Sequence, residues 1–452
     1  MNTKKEFVTD FTTGNAAKQL LIFSTPLLLS NLLQVVYNMV DMIIVGKAMG
    51  KIGLSAVAVG GDVSNLMTFL AMGFSNAGQV LIAQYIGAGQ REKVGRFIGT
   101  MFHFLFCCAV VLSTVCLLLR KPILRLMNTP DSSWEQALAY STVCMVGLVF
   151  IYGYNMVSAV LRGMGDSRHP FVFISIAAVM NVVLDLAFVF GFGMGAMGAA
   201  LATVMSQGFS FLCCAVFLWK RREILGFTIA VRDFIHMEKE MLGKLVRLGV
   251  PMAIKSASIQ TSKLFVNSWI NSYGVEVSAV AGIANKFISI SNLISNSINA
   301  AGSSMVGQNI GAKQYDRVWQ IIKNVFAMTF TISTVMTVVM LMFPEQVFGI
   351  FTEEAEVLLV AMEFLPIAVI NFYGSAFRAP ANSLINGSGH YKVNFATAIL
   401  DGIVMRIGLA MTLGLALHMR YVGFWLGDAL AGFTPFVIGV VFYISGKWRR
   451  DV

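Results

Sequence analysis

Long apolar runs, separated by short polar intervals, make up most of the chain. They fall near 16–46, 52–87, 94–119, 135–162, 169–191, 195–220, 242–272, 276–309, 317–343, 356–386, 391–416 and 420–446. The runs are continuous, without the alternation over about ten residues that a membrane β-barrel requires. Each is long enough for the roughly 20-residue helix that crosses a bilayer. The pattern predicts an all-α membrane protein with twelve transmembrane helices in two pseudo-symmetric six-helix lobes around a central cleft. The longest internal polar interval divides the spans six and six. It places the first lobe at 1–220, a cytoplasmic connecting loop at 221–241 and the second lobe at 242–452.

Composition agrees. Hydrophobic residues are 57% of the chain and charged residues only 12%, against about 25% in a soluble domain. Mean hydropathy is +0.73, and soluble enzyme classes are excluded. The net charge of +10 does not indicate nucleic acid, because its placement follows the membrane. With both termini inside, 22 Lys and Arg fall on the cytoplasmic side and 6 outside (Lys47, Lys51, Arg120, Lys121, Arg125 and Arg420), the skew of the positive-inside rule. The first stretch is polar and the first apolar run is long and carries an Asp, so no cleaved leader is expected. The expected location is the inner (plasma) membrane, multi-pass, with both termini cytoplasmic. Membrane lipid is an expected partner, and a monomer is the expected state.

The two halves repeat. Gln84-Tyr85-Ile86-Gly87-Ala88-Gly89-Gln90 recurs as Gln308-Asn309-Ile310-Gly311-Ala312-Lys313-Gln314, and Arg162-Gly163-Met164-Gly165 as Asn386-Gly387-Ser388-Gly389, both at an offset of 224. Pro26 meets Pro251 at an offset of 225. Six spans per half give both halves the same orientation, so these are parallel repeats, an architecture suited to alternating access. Pro26 removes one backbone hydrogen bond near the start of the first helix, where a bend is expected.

Candidate chemistry lies inside the spans. A carboxylate at a helix centre costs about 2.5–3.5 kcal/mol on insertion scales and is there for a reason. Asp41 and Asp185 are such residues. Asn181 and Asp185 share a helix face at a spacing of four, and Gln34, Tyr37, Asn38 and Asp41 follow one stripe of the first helix. A polar pocket between two such stripes suits reversible proton loading, while a helix-locking polar brace is the structural alternative. Asp62, with Asn65 and Asn76, lines the cleft or sits at the outer interface. The second lobe differs, with Lys255, Lys263, Lys286, Arg378 and Arg406 in its spans and Asp401, Asp428 and Glu363 as acidic company. At an offset of 225 Asn181 meets Arg406 and Thr203 meets Asp428, a possible Arg–Asp pair. The eighth helix carries Asn285, Ser289, Asn292, Asn296, Asn299 and Ser303 on one face, for helix–helix contact or a hydrated cleft.

Other patterns carry no chemistry. Gly193-Met194-Gly195-Ala196-Met197-Gly198 matches a dinucleotide fingerprint but has no βαβ context. Asn386-Gly387-Ser388 is a glycosylation sequon on the predicted cytoplasmic side. The six cysteines lie in apolar runs without metal-ligand spacing, and the five histidines form no cluster. No nucleophile–base set or metal cluster is visible in the spans, so neither an enzyme nor a bound metal or cofactor is expected.

The ordered set Pro26, Gln34 to Asp41, Val45-Gly46, Gln84 to Ala88, Leu161 to Asp166 and Asn181 to Asp185 resembles the multidrug and toxic compound extrusion (MATE) family over essentially the whole chain. The resemblance implies efflux of organic compounds in exchange for protons or sodium. It maps an ion-coupling cluster onto Asp41, Asn181, Asp185 and Thr203, with Gln34 and Tyr37 nearby. Some members instead carry acidic residues in the seventh and tenth helices, but Ala257-Ser258-Ile259-Gln260 and Phe372-Tyr373-Gly374-Ser375 hold no carboxylate. The cleft is expected to present Gln34, Tyr37, Asn38, Asn155, Lys255, Lys263, Asn292, Asn296 and Arg378. The basic residues of the second lobe point to anionic or zwitterionic substrates. A flippase or exporter for an anionic lipid-linked or phosphorylated substrate is the alternative.

Overall fold

A computed structural model describes residues 9–222 and 237–449. The two extreme termini and most of the expected loop 221–241 lie outside the described residues. Those described form helices and connections, with no strand among them. In the first half these are α1 (Ala16–Gly87), α2 (Arg91–Leu118), α3 (Arg120–Leu126), α4 (Trp134–Val146), α5 (Leu148–Gly163), α6 (Arg168–Asp185) and α7 (Gly195–Arg221). The second half contains α8 (Lys239–Asn271), α9 (Val275–Gly311), α10 (Tyr315–Met342), α11 (Pro344–Gly349), α12 (Ala355–Gly387), α13 (Tyr391–Ile399), α14 (Met405–Met411), α15 (Arg420–Ala431) and α16 (Thr434–Ile444).

Among the described residues, nine helical stretches are long and apolar enough to cross a membrane, and a broken pair, Asp131–Val146 with Leu148–Gly163, bent by 48°, makes a tenth. Two further spans complete the twelve. The 72-residue α1 is two spans long and breaks at Gly50, where φ is 61° and ψ is −145°. No atom lies within 4 Å of a Cβ built there, so the glycine is needed for its left-handed backbone and not for space. The other is α8, with 33 residues, long enough to cross a bilayer and with a polar middle that holds Lys255 and Lys263. Many large apolar side chains point outward, among them Val111, Val179, Leu264 and Ile444 at 62–78% exposed. Such a surface is stable only against lipid. The break in the fourth span falls at Gly147, where an added Cβ would lie 2.3 Å from the Val204 side chain of α7. Pro26 stands inside α1 without a non-helical residue beside it. The Ser30 hydroxyl donates to its carbonyl at 2.8 Å.

The chain separates into two compact units, Met1–Asp10 with Thr25–Ala253, and Phe11–Ser24 with Ile254–Val452. The division falls not in the polar interval at 221–241 but inside two helices, beside Pro26 and beside Pro251. Each proline-containing helix therefore begins in one unit and ends in the other. In the second unit, the N-terminal stretch is held by the repeat motif at the end of α9. Phe11 N donates to Gln308 Oε1 (2.9 Å), Asn309 Nδ2 donates to the Phe11 carbonyl (3.0 Å), and the Arg317 guanidinium donates to the carbonyls of Phe11, Thr13 and Gly14 (2.6–2.8 Å). In the first unit, the start of α8 meets α1 closely. A Cβ on Gly73 would lie 2.6 Å from the Ala253 backbone, and one on Gly249 2.2 Å from the Phe74 ring.

The repeated motifs repeat in contacts as well. A Cβ on Gly163 would sit 2.7 Å from the Gln79 carbonyl and 3.0 Å from Ile82, and one on Gly387 2.8 Å from the Ser303 carbonyl and 2.7 Å from Val306. All three pairs of positions, 163/387, 79/303 and 82/306, are 224 apart. Gly165 (φ 83°) and Gly389 (φ 76°) share the left-handed region, as do Gly89 (φ 72°) and its counterpart Lys313 (φ 58°). The dinucleotide-like stretch is a tight turn between α6 and α7, with Gly193 and Gly195 at φ 64° and 59°.

Candidate functional site

In the first unit, α1 and α6 bring Asp41, Asn181 and Asp185 together at 5%, 1% and 0% exposure. The spacing of four on α6 turns Asn181 and Asp185 to one face, as the sequence predicts. The carboxyls of Asp41 and Asp185 stand close enough for their charges to act on each other. Asn181 Nδ2 makes a long contact of 3.5 Å to Thr203 Oγ1 on α7, so all four residues of the expected coupling cluster converge. Gln207 Nε2, one turn beyond Thr203, donates to the Tyr37 hydroxyl at 3.3 Å. Tyr37, Asn181, Thr203, Ser206 and Gln207 form the polar side of a small pocket. Tyr140 of α4 stands close enough to interact with both carboxylates, and a Cβ on Gly60 would lie 2.3 Å from its ring. Just after Asp185 the backbone widens into a π-helical turn, Leu186–Gly191, a feature often found at functional sites.

Several acceptor oxygens crowd this region. Asp41 Oδ1, both Asp185 oxygens, Asn181 Oδ1 and Gln207 Oε1 are buried and have no hydrogen-bond partner among the described residues. Buried oxygens left in this way are costly unless a proton or cation joins them. Sequence reasoning did not single out Gln207, Ser206 or Tyr140. The signal for the first two was present, because Thr203, Ser206 and Gln207 are spaced by three and four on α7.

The rest of the expected first-lobe cleft is divided. Tyr37 lines the pocket and Asp41, four further on, is buried beside Asp185, while Gln34 is half-buried and Asn38 is exposed. Asn155 donates to the Ile151 carbonyl one turn back at 2.8 Å, a local contact of α5. Asp62, Asn65 and Asn76 are all exposed on α1.

In the second unit the basic residues form a network. Asp401, fully buried, accepts from Arg378 Nη2 at 2.9 Å and from Arg406 Nη2 at 3.4 Å. Arg406 also pairs with Asp428. The Arg–Asp pair read from the repeat offset is therefore present, within a larger chain of charges. Arg378, expected at the cleft, is instead an ion-pair partner with its side chain 15% exposed. Lys255 Nζ donates to Asn382 Oδ1 at 2.6 Å. Asp401 sits on a π-helical turn, Leu400–Val404, that has no counterpart among the described first-unit residues at the repeat offset. Glu363 is exposed and accepts from the Tyr421 hydroxyl at 2.7 Å, apart from this network. The α9 stripe serves two purposes. Asn292 Oδ1 accepts from Ser375 at 3.0 Å and Asn299 Oδ1 from Ser383 at 3.3 Å, both on α12, while Ser289 and Asn296 are exposed.

Twelve spans, paired repeats and a buried acidic pair define a multi-pass membrane transporter. The chain matches the MatE family over residues 26–187 and again over 251–412, two stretches 225 apart that coincide with the repeats, and it belongs to that family of multidrug efflux transporters. It is 30% identical over 435 residues to the probable multidrug resistance protein YoeA of Bacillus subtilis (strain 168), covering 95% of this chain and 93% of the relative. To the probable multidrug resistance protein NorM of Thermotoga maritima it is 25% identical over 443 residues, covering 96% and 93%. A MOP superfamily transporter from Pyrococcus furiosus has the same fold, with a TM-score of 0.88 at 22% identity over the full length of both chains. So does a MATE structure in the bent conformation, with a TM-score of 0.88 at 23% identity over 99% and 98%. Family members are transporters and not enzymes.

Proposed function

We propose that the protein is a secondary active antiporter of the inner membrane that exports organic compounds in exchange for protons, or sodium, by alternating access. The observation that carries this reading is that Asp41 and Asp185, both buried, act on each other's charge while Asp41 Oδ1 and both Asp185 oxygens have no hydrogen-bond partner among the described residues. Two carboxylates at such range cannot both stay ionised without a proton or cation between them. Loading therefore removes charge from the first lobe, and unloading restores it. An ion can bias a two-state transporter only if it binds one state more tightly, and a pocket of this kind supplies that difference. Asp41, Asn181, Asp185 and Thr203 hold the ion in this reading, and both termini with the segment 221–241 face the cytoplasm.

The test is transport by purified protein in proteoliposomes under an imposed pH or sodium gradient. Asp41→Asn and Asp185→Asn are each expected to abolish gradient-driven movement of the organic compound while leaving the protein in the membrane. Normal transport by either variant across pH 6 to 8 would make that carboxylate a structural brace. The gradient that drives wild-type transport identifies the ion.

A further inference from the structure

The surface of the second unit carries a cation where a membrane span is otherwise apolar. With 28 residues, α10 is about 42 Å long, the full thickness of a bilayer with its headgroups. Lys323 is exposed and stands eight residues into it, about 12 Å along the axis. Headgroups occupy only about 5–8 Å on each side of the hydrocarbon, so its Cα has passed beneath them. Its face of the helix is a lipid face, for Trp319 and Phe330 are 40% and 38% exposed and Ala327 between them is exposed too. A lysine so placed reaches back to the headgroups along its apolar stem. That direction is observed: the ammonium lies 5.0 Å from the centre of the Trp319 ring, one turn nearer the start of α10.

The rings beside the ammonium are fixed in place. Trp319 stacks on Tyr443 of α16 with centroids 4.9 Å apart, Tyr443 stacks on Trp448 at 5.6 Å, and Tyr315 meets Trp448 edge to face at 5.6 Å. Trp448 is 1% exposed, and its indole N–H donates to the Tyr443 carbonyl at 3.1 Å. The Tyr315 hydroxyl donates to the Arg449 carbonyl at 2.9 Å. These contacts hold the turn that follows α16 and set the Arg449 guanidinium 5.1 Å from the centre of the Trp448 ring. The aromatic array therefore ends in Lys323 on one side and Arg449 on the other. Among the described residues neither makes an ion pair. A ring face attracts a cation but does not neutralise it. The first lobe has no such patch, because at the repeat offset of 224 Trp319 and Lys323 meet Gly95 and Gly99.

We propose that this patch binds the headgroup of an anionic phospholipid of the phosphatidylglycerol type. The phosphate pairs with the Lys323 ammonium, the glycerol lies on the stacked Trp319 and Tyr443 rings, and Arg449 selects against a headgroup that brings a cation of its own. The site is independent of which ion or solute the protein transports.

Lipid binding by the full chain tests it. The protein, purified in detergent, is titrated with phosphatidylglycerol or with phosphatidylcholine of the same acyl chains, and the first bound lipid is followed by native mass spectrometry. Phosphatidylglycerol is expected to bind at least about fivefold more tightly, the worth of one basic residue near a membrane surface. Lys323→Met keeps the length and apolar stem of the side chain, and is expected to weaken phosphatidylglycerol binding about fivefold. Lys323→Arg, which keeps the charge, is expected to restore it. Lys93→Gln removes an exposed cation from α2, the first-lobe counterpart of α10, and is expected to change nothing. Equal binding of the two lipids, or unchanged phosphatidylglycerol binding by a monodisperse Lys323→Met protein, overturns the proposal. So does an equal loss in Lys93→Gln, which would make the preference one of net charge. Displacement of the lipid by glycerol 1-phosphate, which has the phosphate without the acyl chains, would show a site for soluble phosphates and would overturn it as well.

Discussion

The two lobes share a backbone plan and oppose each other in charge. Their repeats align at 224–225 residues, down to which carbonyl each motif glycine touches. Yet the first lobe buries Asp41 and Asp185, with no Lys or Arg in contact with them among the described residues. Its one deep arginine, Arg162, ends α5 and is bound by Gln79 and Ser158. In the second lobe, Arg406 stands where Asn181 would be and Asp428 where Thr203 would be, and a π-helical turn adds Asp401 between two arginines. The same positions therefore make a set of unpartnered acceptors in one lobe and a chain of Arg–Asp pairs in the other. A duplicated scaffold can separate the two demands on intramembrane charge, reversible loading and permanent bracing, by exchanging residues at two or three positions.

If this contrast is right, removing an acid has opposite consequences in the two lobes. Asp401→Asn leaves two buried guanidiniums to share Asp428. Breaking a buried pair from one side costs about 3–5 kcal/mol, so this variant is expected to show the largest fall in apparent melting temperature, or to fail to accumulate. Asp185→Asn, at an equally buried site, removes a carboxylate that has no cation partner, and is expected to melt at or above the wild-type temperature. Fluorescence-detected size-exclusion after heating measures both. Equal destabilisation by the two substitutions would mean that the first-lobe acids are braces too, and that the lobes do not differ in kind.

A middle-sized effect tests what the lobes share. Gly163→Ala and Gly387→Ala each place a methyl group under 3 Å from a helix carbonyl, that of Gln79 in one lobe and of Ser303 in the other. Overpacking of this kind costs about 1–3 kcal/mol. The two variants are expected to lose similar stability in the same melting assay. A large loss in one lobe alone would show that the repeat is preserved in sequence but not in the packing it supports.

Much of this was legible before the structure. The spans follow from continuous apolar runs, and the repeat from ordered motifs whose glycines are needed for close helix contact. Asp41 and Asp185 announce themselves because intramembrane carboxylates are costly, and the spacing of Asn181 and Asp185 sets their shared face. The Arg406–Asp428 pair could be reached through the repeat offset. Other features could not. The contact of Arg378 with Asp401 joins two helices, and depends on a π-helical turn that no local pattern marks. The α9 asparagine stripe has a perfect helical period, but which members meet α12 depends on where the two helices cross. The unit boundaries inside α1 and α8 are tertiary facts, since Phe11–Ser24 is assigned by the contacts it makes with Gln308, Asn309 and Arg317 far along the chain. The break at Gly147 looked like an uninterrupted apolar run because a glycine beside a valine of another helix has no periodicity to betray it.

The smallest expected effect lies where the repeat is imperfect at a single backbone position. After the second and eighth spans the chain turns in the same way. The amides of Ala88, Gly89 and Gln90 bond to the carbonyls of Gln84, Ile86 and Tyr85, and those of Ala312, Lys313 and Gln314 to Gln308, Ile310 and Asn309, all at 2.8–3.0 Å. The central residue must take positive φ in both turns, and is glycine in one and lysine in the other. A side chain in that region costs about 1–2 kcal/mol, while glycine gives back roughly 0.5–1 kcal/mol through the freer unfolded chain. Lys313→Gly is therefore expected to stabilise by about 0.5–1 kcal/mol, and Gly89→Ala to destabilise by about as much. Space does not enter, since nothing lies within 4 Å of a Cβ on Gly89. Opposite shifts of a degree or two in melting temperature would support one shared turn geometry. Shifts of the same sign would mean that the eighth-span turn relaxes away from its first-lobe counterpart, and that the repeat ends before this residue.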